Sequence, residues 1–234
     1  MKALLNAVLF VAVLLGAGAQ GVLAQGEPAQ GPAYLVTYIE VLPGLSGKAM
    51  GLLRQTRAAA RKADGVLRYE ILQRRERPHH FAIVETWKDA SARDANLAAA
   101  HTKKFRDALQ PLLAAGYDER PHNGLDTGPL AAAAGAKGPI VLVVTHVDFI
   151  PPKKDEGIAA LRQIADPSRQ EAGNLRYDLL QQSSRPNHLT LVEAWRDHKA
   201  LEAHEAAAHT VKFRDASTPM SGALFDQRLY RAIE

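Results

Sequence analysis

Two blocks of the chain carry the side chains best suited to proton chemistry. Ala98-Ala99-Ala100-His101-Thr102 recurs as Ala206-Ala207-Ala208-His209-Thr210. Histidine ionises near pH 6.5, so it can act as a base or as a hydrogen-bond donor at neutral pH. The three alanines before each histidine leave room for a ligand, so His101 and His209 are candidate catalytic bases or substrate-binding donors; the alternative is a helix histidine that caps a carbonyl or faces solvent. His204 lies just upstream of His209, and Asn96 stands at its counterpart in the first block. Asparagine cannot act as a base, so two otherwise equal sites are expected to be unequal, with the second the more active. Glu85 and Glu193 each precede a tryptophan, Trp87 or Trp195, by two residues on a predicted strand. Strand alternation puts each glutamate on the face of its tryptophan, among apolar neighbours. A glutamate there could be a raised-pKa acid, could orient a histidine, or could pair with an arginine such as Arg68 or Arg176. Trp87 and Trp195 are core anchors or substrate platforms. Tyr69 and Tyr177 could offer a hydroxyl to a pocket or pack on a partner sheet.

Other chemistries are excluded or disfavoured. The chain has no cysteine, which removes disulfides, thiolate metal sites, cysteine nucleophiles and iron–sulfur clusters. His204-Glu205 followed by His209 is not the zinc-protease pattern. On a continuous helix the two histidines would stand about 140° apart, so no metal is expected. No phosphate-binding glycine loop or nucleophile elbow is present. The net charge of +4 is scattered, without basic runs interleaved with aromatics, so nucleic acid is not an expected partner.

The elements that must hold these residues are written twice. Shifting the chain by 108 positions superposes Leu67-Arg68-Tyr69 on Leu175-Arg176-Tyr177, Arg77-Pro78 on Arg185-Pro186, and Trp87 on Trp195. Two copies of a period this long mean tandem domains rather than a solenoid. Each copy reads as strand, helix, two strands, helix and a last weak strand. The strands run 34–42, 67–73 and 81–87, with a helix at 91–113 and the weak strand near 117–120; the second copy repeats them. Asp64-Gly65 and Gly173 mark turns. The order β-α-β-β-α-β is the ferredoxin-like arrangement, an α+β fold with two helices on one sheet face. The other face can be covered by the second copy, giving an intramolecular pseudo-dimer, with further oligomerisation open. The domains are read as 32–120 and 139–234, with a Gly-, Pro- and Ala-rich linker at 121–138. Residues 1–24 have the charged, apolar and small-residue layout of a secretory signal peptide. An exported, periplasmic protein is therefore expected, without stable membrane insertion after cleavage.

Each copy resembles the antibiotic biosynthesis monooxygenase family, which includes the quinol monooxygenases. The pattern runs from Gly65-Val66-Leu67-Arg68-Tyr69 through Glu85-Thr86-Trp87 to Ala100-His101, and again from Gly173 through Glu193-Ala194-Trp195 to His209. The resemblance implies a dimeric α/β barrel with a pocket between sheet and helices. It also implies oxygen chemistry on a quinol-like or polycyclic phenolic molecule with no cofactor, metal or flavin. A deprotonated phenol can reduce oxygen directly, so the protein need supply only a dry pocket, a base and donors to the oxyanion. Asn96 and His204 fall at a second family position in the helix. The alternative is a non-catalytic exported binding protein for an apolar aromatic ligand or haem. Haem-degrading relatives rely on an Asn, Trp and His set that this chain does not reproduce, since no helix tryptophan precedes His101 or His209.

Overall fold

The computed structural model describes residues 31–130 and 138–234. The segment read as a signal peptide and the alanine run Ala131 to Ala134 lie outside the described residues. The first repeat comprises β1 (Ala33–Glu40), α1 (Ser46–Ala60), β2 (Val66–Arg74), β3 (His80–Trp87), α2 (Ala90–Ala98), α3 (Ala100–Leu109) and β4 (Asp118–Asp126). The second comprises β5 (Val141–Asp148), α4 (Lys154–Gln170), β6 (Asn174–Gln182), β7 (His188–Trp195), α5 (His198–Ala206), α6 (Ala208–Ser217) and β8 (Asp226–Ile233). This is the expected order with two differences. Each second helix is split in two. Each last strand is longer than its sequence suggests, and β4 runs through Asp126 into the segment read as linker.

The splits fall at Ala99 and Ala207, both extended, with ψ 148° and 142°. No proline or glycine causes them. In the first repeat the Thr102 hydroxyl donates to the Asn96 carbonyl at 2.6 Å, replacing a helical bond with a side-chain one. The starts of α2 and α5 are conventional: Asp89 and Asp197 accept from the backbone N–H of Ala92 and Ala200, each at 2.8 Å. The turns before β2 and β6 place Gly65 and Gly173 at φ 78° and 96°. A Cβ at either would also come within 2.7 Å of the following helix, at Ala92 or Ala200.

All eight strands close into one antiparallel barrel, in the order β1-β3-β2-β8-β5-β7-β6-β4 and back to β1. Two of the pairings join the repeats. Ile71 to Arg74 on β2 pair with Ile233 to Tyr230 on β8, and His122 to Asp126 on β4 pair with Gln182 to Leu179 on β6. One strand face points into the barrel, where Val36, Val84, Val144, Val192, Leu72 and Leu180 form a core common to both repeats. The other face packs on the helices and makes a separate core for each repeat, around Trp87 and Trp195. Among the described residues no helix is long and apolar enough to cross a membrane.

The two ends of the barrel interior are charged. At one end Arg176, with its side chain 1% exposed, donates to Asp178 at 2.5 Å and to Glu70 of the other repeat at 2.7 Å. Asp178 also accepts from the Gly128 N–H at 2.8 Å. At the other end the Tyr38 ring lies between the Arg120 and Arg228 guanidinia, at 4.9 and 5.1 Å. Removing one partner of a buried ion pair strands the others, which costs about 3–5 kcal/mol. Arg176→Ala is therefore expected to lower the unfolding free energy by about that amount, read from the denaturant midpoint, with Arg196→Ala on the exposed surface as a near-neutral control.

Candidate functional site

Glu85 and Glu193 are buried on the helix-facing side of β3 and β7. Each is held by the indole of the tryptophan two residues on, Trp87 Nε1 to Glu85 at 2.8 Å and Trp195 Nε1 to Glu193 at 2.9 Å. Arg68 and Arg176 sit on the opposite, interior face, so the arginine pairing does not form. Burial pushes the Glu85 carboxyl up to about 8 and that of Glu193 up to about 7, with the tryptophan bond and nearby arginines opposing.

In the second repeat Glu193 forms part of the wall of a cavity of about 180 Å³ between sheet and helices. Val147, Ile164, Leu191, Phe213 and Phe225 make its apolar wall; Tyr177, His204, Glu205, Thr210, Arg214 and Gln227 add polar groups. Phe213 and Phe225 stack at 5.8 Å with planes 6° apart. Tyr177 faces this cavity, not the partner sheet, and burial holds its hydroxyl well above the usual range, so it stays a neutral donor.

His204 is the centre of the site. Its ring stacks on Trp195 at 4.6 Å, so the tryptophan supports the histidine from beneath rather than walling the cavity. Nδ1 lies 2.8 Å from Glu171 Oε1, and Nε2 lies 4.0 Å from Glu193 Oε2 on the cavity side. Burial lowers the His204 pKa from 6.5, with Glu171 opposing. The imidazole is therefore neutral at pH 7. An Nδ1–H donated to Glu171 leaves the Nε2 lone pair facing Glu193 and the cavity, as an oriented base requires.

The two blocks marked by alanines behave differently from the expectation. His209 is not part of the cavity wall; it stands at the rim, with Nε2 2.7 Å from Glu171 Oε1. The continuous-helix geometry that kept His204 and His209 apart does not hold. The break at Ala207 puts them on separate helices, with ring centres 6.0 Å apart and one shared carboxylate. Glu171, His204 and His209 could thus hold a cation, and so could Glu40, His79 and His80 at the end of β1; the sequence reading expected neither. In the first repeat Asn96 is buried and its Oδ1 lies 3.0 Å from His101 Nε2, while Ala63 replaces Glu171. Arg106 donates twice to Glu119, at 2.6 and 2.7 Å, across the space equivalent to the cavity. The second repeat has Gln227 there, bonded to Glu205 at 2.8 Å.

Sequence reasoning missed Glu171, Glu205, Phe225 and Gln227. The signal was available where the repeats differ: Ala63 against Glu171, Leu97 against Glu205, Tyr117 against Phe225 and Glu119 against Gln227.

The family model described as antibiotic biosynthesis monooxygenase matches residues 32–108 and 140–216. YcnE of Bacillus subtilis, provisionally named a monooxygenase, is 27% identical over 70 residues, 30% of this chain and 74% of its own length. An uncharacterized protein of Synechocystis is 29% identical over 100 residues, 43% of this chain and 67% of its own. The solved structure of a Fusobacterium nucleatum protein, also provisionally named a monooxygenase, matches with a TM-score of 0.75 at 15% identity, covering 88% of this chain and 94% of that one. An anthrone oxidase-like protein matches with a TM-score of 0.66 at 14% identity, covering 88% and 92%. Both structural matches span the two repeats and show the shared fold.

The buried glutamates set a pH dependence of stability. Glu85 and Glu193 bind a proton more tightly folded than unfolded, so their stabilisation is complete below 4.5 and is lost as pH rises to about 8 and about 7. Buried His122 and His146 act in the opposite sense: their values are held down to about 4 and about 3, and they cost stability only as pH falls below 6.5. The melting temperature should therefore fall between pH 6.5 and 8. Thermal melts of Glu85→Gln should lose much of that slope, the difference from the parent growing by up to about 1.4 kcal/mol per pH unit.

Proposed function

Because the chain belongs to the antibiotic biosynthesis monooxygenase family, we propose that it oxygenates a small phenolic substrate with O2 in the cavity of its second repeat. The observation that carries this reading is His204, neutral and oriented by Glu171, facing Glu193 at the edge of an apolar chamber. Chamber size favours a particular substrate. A closed cavity of about 150 Å³ accepts benzene, so the walls of this open-mouthed cavity of about 180 Å³ enclose one aromatic ring and leave any further fused ring at the mouth. A single-ring hydroquinone is preferred over the polycyclic phenols and anthrones that the family resemblance also suggests.

The roles follow from the geometry. Phe213 and Phe225 hold the ring. His204 Nε2 takes a phenolic proton. The phenolate, now a strong reductant, transfers electrons to O2, and a carbon–oxygen bond forms at the ring. A protonated Glu193 and the Tyr177 hydroxyl donate to the oxygen that carries the developing charge. A hydroquinone plus O2 gives a hydroxyquinone plus water; all four electrons come from the substrate, so no external reductant enters the balance. The first repeat, with Asn96 for the base and Arg106–Glu119 across the space, is the scaffold half.

The test is oxygen uptake with substituted hydroquinones, corrected for spontaneous oxidation. His204→Asn copies the residue at Asn96, so the fold accommodates it. Removing a general base costs about 10²–10⁴-fold in turnover. A His204→Asn protein that turns over like the parent would sink the reading, whereas loss of turnover with retained ligand affinity supports it. Uptake should rise with pH as His204 loses its proton below 6.5 and fall as Glu193 ionises near 7. Glu193→Gln should remove the alkaline fall.

A further inference from the structure

On the outer side of the cavity three elements bring three ligand-type side chains to one point: Glu171 from the end of α4, His204 from α5 and His209 from α6. One carboxylate oxygen, Glu171 Oε1, lies 2.8 Å from His204 Nδ1 and 2.7 Å from His209 Nε2. His209 Nε2 is enclosed, yet it is not aligned for a hydrogen bond to that oxygen and has no other partner among the described residues. An ion about 2.0–2.1 Å from each atom in tetrahedral geometry needs ligand atoms about 3.3–3.4 Å apart, so the carboxylate oxygen must draw back from each imidazole by roughly half an ångström, within a cluster whose ligand atoms all lie within 4.8 Å of one another.

We propose that Glu171 Oε1, His204 Nδ1 and His209 Nε2 bind one divalent transition-metal ion, of the zinc class, at the rim of the second-repeat cavity. Two imidazoles and one carboxylate select zinc, cobalt or iron over calcium and magnesium, which prefer all-oxygen shells. Three protein ligands leave further positions for water or an exogenous ligand; Glu171 and His209 keep 17% and 26% of their side-chain exposure. The His204 ring is fixed by stacking on Trp195, and its other nitrogen faces Glu193. Ala63 and Asn96 replace two of the three ligands in the first repeat, so this site has no counterpart there.

Occupancy would change what His204 presents to the cavity. With Nδ1 on a metal, the neutral ring carries its proton on Nε2, which then offers the cavity an N–H instead of a base. A bound ion would therefore switch turnover off. This consequence rests on the function proposed above; the binding does not.

The experiment is calorimetric titration of the chelator-treated full-length protein with Zn²⁺ and Co²⁺, with the visible spectrum of Co²⁺ as a direct readout of ligation. We expect one ion per chain and a cobalt spectrum that zinc abolishes. Outer-shell changes alone cost about 10–100-fold in affinity, so Glu171→Ala and His209→Ala should each weaken binding by at least about 100-fold. His79→Ala, in the other histidine cluster, should bind as the parent does. The proposal is overturned if the parent binds neither ion, if Glu171→Ala and His209→Ala bind normally, or if His79→Ala abolishes binding. Oxygen uptake then reads the switch: zinc should inhibit the parent and leave His209→Ala at its own basal rate. A protein without oxygenase activity would still decide the metal site through cobalt and calorimetry.

Discussion

A four-stranded antiparallel sheet ends in two strands whose outer N–H and C=O groups have no partner, and such edges invite aggregation. Here each repeat's edges are completed by the other's. β4 pairs with β6, β2 pairs with β8, and no edge is left in the closed barrel. Everything else depends on that closure. It turns one face of each sheet inward, so the Val36, Val84, Val144 and Val192 core belongs to neither repeat alone. It also buries Arg176 against Glu70 of the other repeat. The helices are left outside, and each repeat keeps its own sheet–helix layer in which a site can be built.

The two layers share a backbone and differ in what they hold. Both carry the glutamate–tryptophan clamp, with a neutral-prone carboxyl under the helices. They diverge at the positions above it. In the first, the Arg106–Glu119 bridge crosses the space and Asn96 meets His101. In the second, Gln227 turns to Glu205, the phenylalanine pair lines a chamber, and His204 is fixed by Glu171 and Trp195. Covalent fusion permits this division: once both sheets are guaranteed in one molecule, the two layers are free to diverge in the side chains they hold.

Much of this was legible in the residues. The repeat at an offset of 108, the alternation of apolar side chains and the paired tryptophans suffice for two ferredoxin-like halves, because binary pattern and turn chemistry act locally. The burial of Glu85 and Glu193 with Trp87 and Trp195 also follows from period-two alternation. So does the inequality of the repeats at Asn96 and His204, since it needs only a comparison of side-chain types. The last strands were short in the sequence reading because Asp118 to Asp126 is polar and interrupted by proline and glycine. Its strand character comes from two neighbours, β1 and β6, that supply hydrogen bonds regardless of composition.

What only the tertiary structure decided is which side chains meet. An alanine-rich run is the best helix former in sequence terms, so His204 and His209 read as residues on opposite sides of one helix. The break at Ala207 swings them together over Glu171, a residue from another helix whose relevance no local pattern marks. Likewise Arg68 and Arg176, near Glu85 and Glu193 on neighbouring strands, were removed from them by the face they occupy once the barrel closes. The sequence by itself determined the elements, their periodicity and the inequality of the two halves, because these depend on near neighbours along the chain. The cavity, the His204–Glu171 orientation and the convergence at the rim depend on long-range packing, and so were set only when the eight strands closed.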